Sequence, residues 1–212
     1  MPTPAVIDLS HWQTIPSSLV PAREAGIVGL IHKGTEGASY VDDKLEARAH
    51  LAREAGLLCG VYHFLRPGDM VQQATHFVNT VRPGLDGSLL VAADHEDPGV
   101  SLDDLAVFLE IVEDLAVRSP VIYSGHVLKE QLAAKPEYEF LVHDYRLWLC
   151  HYTTGAPVLP PGCDRYWLWQ YTDTGTCPGV DPPTDLNAIH PDMSMDIFRL
   201  SWSGREVDLP LG

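Results

Sequence analysis

Two acidic side chains stand where one apolar stretch of the chain ends. In LLVAADHEDP (89–98), apolar and small residues are followed at once by Asp94, His95, Glu96 and Asp97. Residues two apart on a strand point to the same side, so Asp94 and Glu96 share a face about 6.5–7 Å apart while His95 points away. Carboxylates this close repel one another, which raises the pKa of one of them. A protonated acid beside an ionised one is the arrangement that cleaves glycosidic bonds, although two solvated loop acids would give the same pattern.

The stretch that carries this pair is one of a series of short apolar segments. These segments are apolar throughout rather than alternating, which is typical of strands covered on both faces. The predicted strands are 5–10, 27–33, 57–64, 88–94, 120–124, 146–152 and 166–172.

Helices are predicted between the early strands. One begins at Asp42 or Asp43 and ends before Gly56, because glycine favours the left-handed backbone that follows a helix. A second begins at Ser101, where Asp104 is placed three residues on to complete a capping box. Each of these helices lies between two predicted strands, as in a β/α repeat.

The second half of the chain is poorer in helices. The last clear helix covers 126–135, and the later strands are joined by loops rich in proline and glycine. This order predicts an α/β fold, a parallel barrel of the TIM type whose last helices are lost or shortened. No linker or repeat divides the chain, so we expect a single catalytic domain over 1–212. Its tail, 199–212, is too short to form a binding domain.

Polar or aromatic side chains stand at the end of strand after strand. The carboxyl ends of parallel barrel strands meet on one rim, where functional residues collect. We therefore expect a polar cleft lined with aromatic rings at that rim. The residues concerned are Asp8, Ser10, Lys33, Thr35, Glu36, Tyr62, His63, Asp94, Glu96, Tyr123, His151, Tyr152, Gln170 and Tyr171.

The composition argues against several classes of partner. The chain has 14 basic and 29 acidic residues and a net charge of −15, which argues against nucleic acid as a ligand. No segment approaches the roughly 18 uninterrupted apolar residues of a membrane span, and the start MPTPAVIDLS does not resemble an export signal. Cys59 and Cys150 lie in apolar runs and are predicted to be buried free thiols. The sequence leaves open whether Cys163 pairs with Cys177.

A series of motifs together resembles the lysozymes of glycoside hydrolase family 25. The motifs occur in that family's order and span 6–187: DLSHWQ, HKGTEG, AGLLCGVYHF, the D-x-E strand end, PVIYS, LWLCHY and YWLWQYT followed by DLN. The resemblance implies a modified barrel of the (β/α)5(β)3 type. It also implies hydrolysis of the β-1,4 bond between N-acetylmuramic acid and N-acetylglucosamine in peptidoglycan, with retention of configuration.

The same resemblance suggests the catalytic residues. Glu96 is similar to the general acid/base, Asp94 to the acid beside it, Asp8 to the first-strand aspartate and Asp185 of DLN to the aspartate near the last strand. Anionic groups near the sugar would stabilise an oxocarbenium-like transition state. The attacking group stays open between a carboxylate, such as Asp94 or Asp185, and the substrate's own N-acetyl oxygen, which we favour. We expect no cofactor and no metal.

Other residues are predicted to bind the sugar or to support the rim. Aromatic rings offer flat apolar faces for stacking, and Gln170 and Asn187 could donate hydrogen bonds. Glu36 is expected to hold Lys33 or a backbone amide. The predicted stacking residues are Tyr62, Tyr152 and Trp169, with Trp148 and Tyr171 as further candidates, whereas His63, His95 and His151 are expected to be satisfied rim histidines.

Two other functions fit parts of this pattern. A metal-dependent barrel hydrolase would use His63, Asp94, Glu96, His151 and Asp185 as ligands, but the chain has no H-x-H or H-E-x-x-H pair. A non-catalytic sugar-binding protein would use the same cleft. The setting that we expect is a monomeric phage-type endolysin, made in the cytoplasm and released to the cell wall when the membrane is breached.

Overall fold

The structure is a computed structural model that describes residues 2–14, 16–82 and 88–204. The strands are β1 (Val6–Leu9), β2 (Gly29–Glu36), β3 (Tyr40–Val41), β4 (Leu58–Phe64), β5 (Leu90–Asp94), β6 (Val121–Ser124), β7 (Arg146–Cys150), β8 (Leu168–Cys177) and β9 (Val180–Ile189). The helices are α1 (Val20–Glu24), α2 (Leu45–Glu54), α3 (Met70–Val81), α4 (Leu102–Ala116), α5 (His126–Ala134), α6 (Phe140–Asp144) and α7 (Met195–Ser201).

The strands form a closed barrel, which confirms the predicted fold class. Going around the barrel from β1, the order is β2, β4, β5, β6, β7, β8 and β9, and closure comes from the pairing of β1 with both β2 and β9. The pairs from β1 to β8 are parallel, whereas β9 is antiparallel to both of its neighbours. The expectation of a parallel barrel is therefore wrong for the last strand. The short β3 lies outside the ring, antiparallel to β2.

Strand β9 was absent from the predicted strands because its sequence reads as a loop. It contains Pro182 and Pro183, and proline cannot donate a ladder hydrogen bond. The prolines fall where the β8–β9 hairpin extends past the barrel and its register shifts, between the pairs Gly175–Thr184 and Cys177–Val180. The regular part of β9, near Asp185, closes the barrel.

The helix ends follow local rules that the sequence carries. Ser101 and Asp104 form the predicted capping box of α4, and Gly56 follows α2 with φ of +70°. Neither Asp42 nor its neighbour caps α2, which begins at Leu45 after Lys44. Asp42 is instead buried, and it accepts the backbone N–H groups of His11 and Lys44.

The apolar core has two layers, one inside the barrel and one between the strands and the helices. The inner layer includes Ile31, Leu90, Val121 and Leu168, and it gives the barrel a solid interior below the rim. The outer layer packs α3 and α4 against β4 and β5, and its fully buried members include Phe77, Phe108, Leu105, Leu109 and Val112. Each such side chain contributes about 1.5–3 kcal/mol to stability.

The described part of the tail belongs to the barrel domain. Trp202, just after α7, is buried and donates its indole N–H to the carbonyl of Cys59 at 2.8 Å. Arg146 of β7 binds the carbonyls of Ser119, Ser201 and Trp202. Residues 205–212 of the predicted tail lie outside the described ranges.

Two further predictions concern the cysteines and the presence of a membrane-spanning helix. Cys150, Cys163 and Cys177 are free thiols, so Cys163 does not pair with Cys177. The prediction that Cys59 and Cys150 are buried is only partly met, because both are half-buried. No helix in the described ranges is long and apolar enough to cross a membrane.

Candidate active site

A cavity of about 230 Å³ opens at the carboxyl end of the barrel strands. It brings together side chains that are far apart in the sequence, because neighbouring strands end at the same rim. A larger cleft of about 640 Å³ lies beside α2, but it holds none of the four predicted catalytic acids. The residues lining the rim cavity are Asp8, Tyr62, Asp94, Glu96, Tyr123, Trp148, Tyr152, Gln170, Asp173 and Asp185.

One pair of acids faces across two strands. Asp8 of β1 is directly opposite Asp185 of the antiparallel β9, which brings the two side chains to neighbouring positions. Gln170 donates to both carboxylate oxygens of Asp8, at 3.1 and 3.0 Å, and Asn187 donates to one of them at 2.8 Å. The Asp8 carboxylate is therefore fixed by amide donors from β8 and β9.

The amides that hold Asp8 are themselves oriented. The hydroxyls of Tyr123 and Tyr152 both donate to the side-chain oxygen of Gln170, each at 2.8 Å. The indole N–H of Trp148 donates to the side-chain oxygen of Asn187 at 2.6 Å. Each amide must then present its NH₂ group to Asp8, so the network has only one consistent arrangement.

The second pair of acids lies along β5 and the loop after it. Asp94 is almost completely buried, and its Oδ1 atom has no hydrogen-bond partner among the described residues. Glu96 is partly buried, and within the same ranges its carboxyl group makes no hydrogen bond. The two side chains face the cavity while His95 points away, as the two-residue spacing predicts.

All four acids bind protons more tightly than free carboxylic acids. Burial raises the pKa of Asp8 to about 6, against the lowering effect of its hydrogen bonds, and burial with the nearby Asp8 charge raises the pKa of Asp185 to about 8. Burial, followed by the charge of Glu96, raises the pKa of Asp94 well above its usual range. Burial and the charge of Asp8 also raise the pKa of Glu96. Protonated and ionised carboxyl groups therefore coexist here near neutral pH.

Several predicted sugar-binding residues do not line this cavity. Trp169 and Tyr171 flank Gln170 on β8 and consequently point to the other face, where they pack in the layer outside the barrel. Trp169 donates its indole N–H to the carbonyl of His151 at 2.7 Å. Asn187 is buried beneath Asp8 and is an internal support. These three residues do not line the cavity, whereas Tyr62 and Tyr152 do, and the contact of all five with a sugar stays a prediction.

The three histidines are engaged away from the acids. His63 lies between the hydroxyl of Thr35 at 2.7 Å and the side-chain oxygen of Gln73 at 3.2 Å. His95 contacts the carbonyl of Val100 at 3.0 Å, and His151 accepts the backbone N–H of residue 158. The two histidines of the metal-dependent alternative, His63 and His151, thus lie apart from its three acids, and within the described ranges no group of three or more such side chains is arranged to hold a metal ion.

Four residues play parts in the site that the sequence did not reveal. Tyr123 and Trp148 orient the supporting amides, and Asp173 of the β8–β9 hairpin adds an exposed acid to the rim. Lys33 forms an ion pair with Glu36, as predicted, and its charge also favours ionised Asp94. Strand register alone brings Tyr123 level with Asp94 and with Trp148, so reading each strand end separately cannot reveal this.

The fold and the acids together define a class of protein, a barrel enzyme of the glycoside hydrolase type. The sequence model of Glycosyl hydrolases family 25 matches residues 7–180. Lysozyme M1 of Streptomyces globisporus is 28% identical over 205 residues, covering 87% of this chain and 68% of that protein. The autolytic lysozyme of Clostridium acetobutylicum is 29% identical over 170 residues, covering 78% and 49%.

A solved structure agrees with these relatives. The bacterial lysozyme from Streptomyces coelicolor superposes with a TM-score of 0.82 at 27% identity, covering 94% of this chain and 98% of that one. The chain belongs to glycosyl hydrolases family 25. It is a glycoside hydrolase, which confirms the predicted family and enzyme class.

Proposed function

We propose that this enzyme is a muramidase that cleaves the β-1,4 bond after N-acetylmuramic acid in peptidoglycan, with Glu96 as the general acid/base. Family membership and the lysozymes among its relatives support the reaction. The observation that carries the assignment of Glu96 is its position beside Asp94, part-buried at the cavity and without a hydrogen bond to any residue that the structure describes. An acid with a raised pKa in such a position can hold a proton and give it to a leaving oxygen.

The cleavage proceeds in two steps in this proposal. Glu96 protonates the glycosidic oxygen as the C1–O bond breaks, and the N-acetyl oxygen of the same sugar attacks C1 to give a bicyclic oxazolinium ion. Asp94 accepts the amide N–H of that acetyl group and its negative charge stabilises the cation. Glu96, now ionised, then takes a proton from water that attacks C1 as the bond from C1 to the acetyl oxygen breaks, which restores the acid and the acetamido group and retains the configuration.

The remaining acids support this centre. Asp8, fixed by Gln170 and Asn187, places a negative potential beneath the sugar where positive charge develops. Asp185, whose pKa is raised to about 8, stays protonated near neutral pH and so leaves the negative charge to Asp8. Tyr62 and Tyr152 on the cavity wall offer ring faces to the sugar. The alternative nucleophile is a carboxylate that would form a bond to C1.

Product analysis tests the reaction and the acid. Purified peptidoglycan is digested and its fragments are examined by mass spectrometry, where we expect muramic acid at the new reducing end. Glu96→Gln should lower turnover by about 10²–10⁴-fold while retaining glycan binding. N-acetylglucosamine at the new end, cleaved peptides or an unimpaired variant would contradict the proposal, and an unimpaired variant would favour a sugar-binding role.

A second experiment separates the two nucleophiles. A thiazoline analogue of the bicyclic ion should inhibit the enzyme competitively if the N-acetyl group attacks. A glycosyl group found attached to Asp94 or Asp185 after rapid quenching would instead establish a carboxylate nucleophile.

The phage-type setting stays a prediction, and we propose it here with its test. Cells that make the enzyme in the cytoplasm should remain intact until a membrane-permeabilising agent is added, and should then lyse. Lysis without that agent would show another route to the wall. The predicted monomer can be checked by sedimentation.

A further inference from the structure

Trp12 is an apolar side chain that the fold leaves in solvent at the rim. Its exposed fraction is 82%, the highest of the large hydrophobic side chains in the described part of the chain. It lies three residues after the strand that carries Asp8, within the loop 10–14. A large ring left unburied gives up the stabilisation that burial of its area would provide. Such a ring beside a polymer-binding cavity is suited to contact the polymer.

The loop that carries Trp12 is held by buried charged groups. Arg48 of α2 is fully buried and donates to the carbonyls of Ser10, at 2.6 Å, and of Gln13. Lys44 donates to the carbonyls of His11 and Gln13, the latter at 2.7 Å. The buried Asp42 accepts the backbone N–H of His11 at 2.9 Å. The backbone on both sides of Trp12 is therefore fixed, so the ring is presented from a rigid support.

Ring contacts lead from Trp12 to Lys33 of β2, which is paired with Tyr62 of the cavity wall. The His11 ring lies 4.4 Å from the Trp12 ring and 6.2 Å from the Tyr40 ring, which is itself part-exposed. Tyr40 in turn lies 5.6 Å from the Lys33 amino group, whose charge acts on Asp94. We call Trp12, His11 and Tyr40 the rim platform. It extends from the β1 and β2 side of the cavity out over the surface.

The size of the cavity indicates what the platform would bind. At about 230 Å³ the cavity is smaller than the roughly 300–1,000 Å³ of a site that encloses a whole drug-sized ligand. A glycan strand must therefore continue over the protein surface on either side of the cleaved bond. With a net charge of −15, the surface favours neutral sugar faces over the carboxylates of the wall polymer.

We propose that the rim platform is a binding subsite for an N-acetylated sugar of the glycan strand, beyond the sugars that flank the cleaved bond. The apolar face of the pyranose ring stacks on the indole of Trp12, and Tyr40 contributes the neighbouring surface. The proposal rests on the proposed muramidase function and deepens it. It assigns to the platform the selection of long glycan strands over short ones.

Kinetics on substrates of two lengths test this inference. Trp12→Ala should raise KM for long, peptide-free glycan strands about 3- to 10-fold, the scale of one aromatic contact, and leave kcat unchanged. The same variant should leave both constants unchanged on a tetrasaccharide centred on the cleaved bond. Trp12→Tyr should restore most of the KM, because a smaller aromatic plane remains. Tyr40→Ala should raise KM for long strands by less than Trp12→Ala does.

The matched control removes another exposed ring. Phe140 of α6 is part-exposed, but α6 leads into the start of β7, at the opposite end of the barrel. Phe140→Ala should leave KM unchanged on both substrates. An unchanged KM on long strands for Trp12→Ala, or an equal change on both substrates, would overturn the platform as a subsite.

Binding without turnover gives a second readout. In the Glu96→Gln background, long strands should quench a part of the tryptophan fluorescence that disappears in Trp12→Phe. An absence of this Trp12-dependent quenching would also count against the subsite. Failure of the muramidase proposal is distinguishable, since it would appear as wrong product ends with wild-type enzyme.

Discussion

The two acid pairs of the site face the same cavity but are held in opposite ways. Asp8, opposite Asp185, accepts three hydrogen-bond contacts from Gln170 and Asn187. Asp94 is the last residue of β5, and Glu96 lies in the loop that follows. Asp94 is more deeply buried than Glu96, and one of its oxygens has no hydrogen-bond partner in the described ranges. Asp8 and Asp94 are thus buried to a similar extent, but the described part of the protein supplies hydrogen-bond donors to every oxygen of Asp8 and not of Asp94.

The difference indicates which groups the protein positions and which the substrate completes. A buried carboxylate without a donor is costly, and structures retain such groups chiefly at functional sites. Asp94 would recover its missing hydrogen bond from a bound amide, whereas Asp8 already has its donors. The pair of Asp8 and Asp185 therefore supplies a fixed electrostatic environment, whereas Asp94 and Glu96 take part in the reaction.

Among the changes that test this comparison of the two pairs, Asp94→Asn should have the largest effect. The change keeps the shape but removes the negative charge, so kcat on peptidoglycan should fall about 10²–10³-fold. The free energy of unfolding at pH 7 should stay level or rise, because among the described residues none donates a hydrogen bond to this side chain that the change would remove. Turnover assays and urea denaturation check both parts.

Asp8→Asn is the matched change in the other pair. Its new NH₂ group would face the NH₂ groups of Gln170 or Asn187, so this variant should lose about 1–3 kcal/mol of stability as well as activity. Equal stability losses for the two variants would break the comparison.

Asn187→Ala tests the support beneath Asp8. It leaves the buried Trp148 indole N–H without its acceptor and removes one of the two donors to an oxygen of the buried Asp8. We expect a loss of about 2–3 kcal/mol in the free energy of unfolding, measured in urea. Asn79→Ala, on the exposed face of α3, is the control and should change stability by less than about 0.5 kcal/mol. A loss no larger than that of the control would show that the network is dispensable.

Asp185→Asn tests the pH dependence of the fixed pair. Asp185 has a pKa raised to about 8 in the folded protein, from an ordinary value of 3.8, so the folded state binds this proton more tightly than the unfolded state. That stabilisation is fully present below about pH 4 and is lost as the pH rises to about 8. The stability of the wild type should fall more steeply than that of the variant across this window. Parallel thermal-melting profiles from pH 4 to pH 8 would contradict the raised pKa.

Much of the barrel and its catalytic acids could be predicted from local sequence. Strands and helices follow from apolar runs and caps, and the acids follow from strand ends because a barrel gathers them on one rim. Strand β9 could not be predicted because Pro182 and Pro183 are typical of a loop, and its direction is set only when it closes the barrel against β1. The antiparallel pairing of Asp8 with Asp185 is therefore a property of topology.

Side-chain direction was the other limit. In YWLWQYT both faces of β8 are apolar or aromatic, so the sequence does not reveal that Gln170 points inward and Trp169 outward. The sequence predicts Asp42 as a possible helix cap, whereas in the structure Asp42 is buried and accepts the backbone N–H groups of His11 and Lys44. Such partners come from distant segments, and only the folded arrangement identifies them.

The smallest effect on activity is expected from His95, which lies between the two reactive acids in sequence. Its ring points away from the cavity and donates to the carbonyl of Val100, which the side chain of Gln131 also reaches at 2.9 Å. His95→Ala therefore leaves that carbonyl satisfied, and kcat should change by less than about 3-fold, although the lost packing should cost about 1–2 kcal/mol of stability. A fall in kcat comparable to that of Asp94→Asn, in protein that remains folded, would mean that the loop acts as one unit. His95 would then act with the reacting groups although its side chain points away from them, and the distinction between reacting and supporting groups would not hold in this loop.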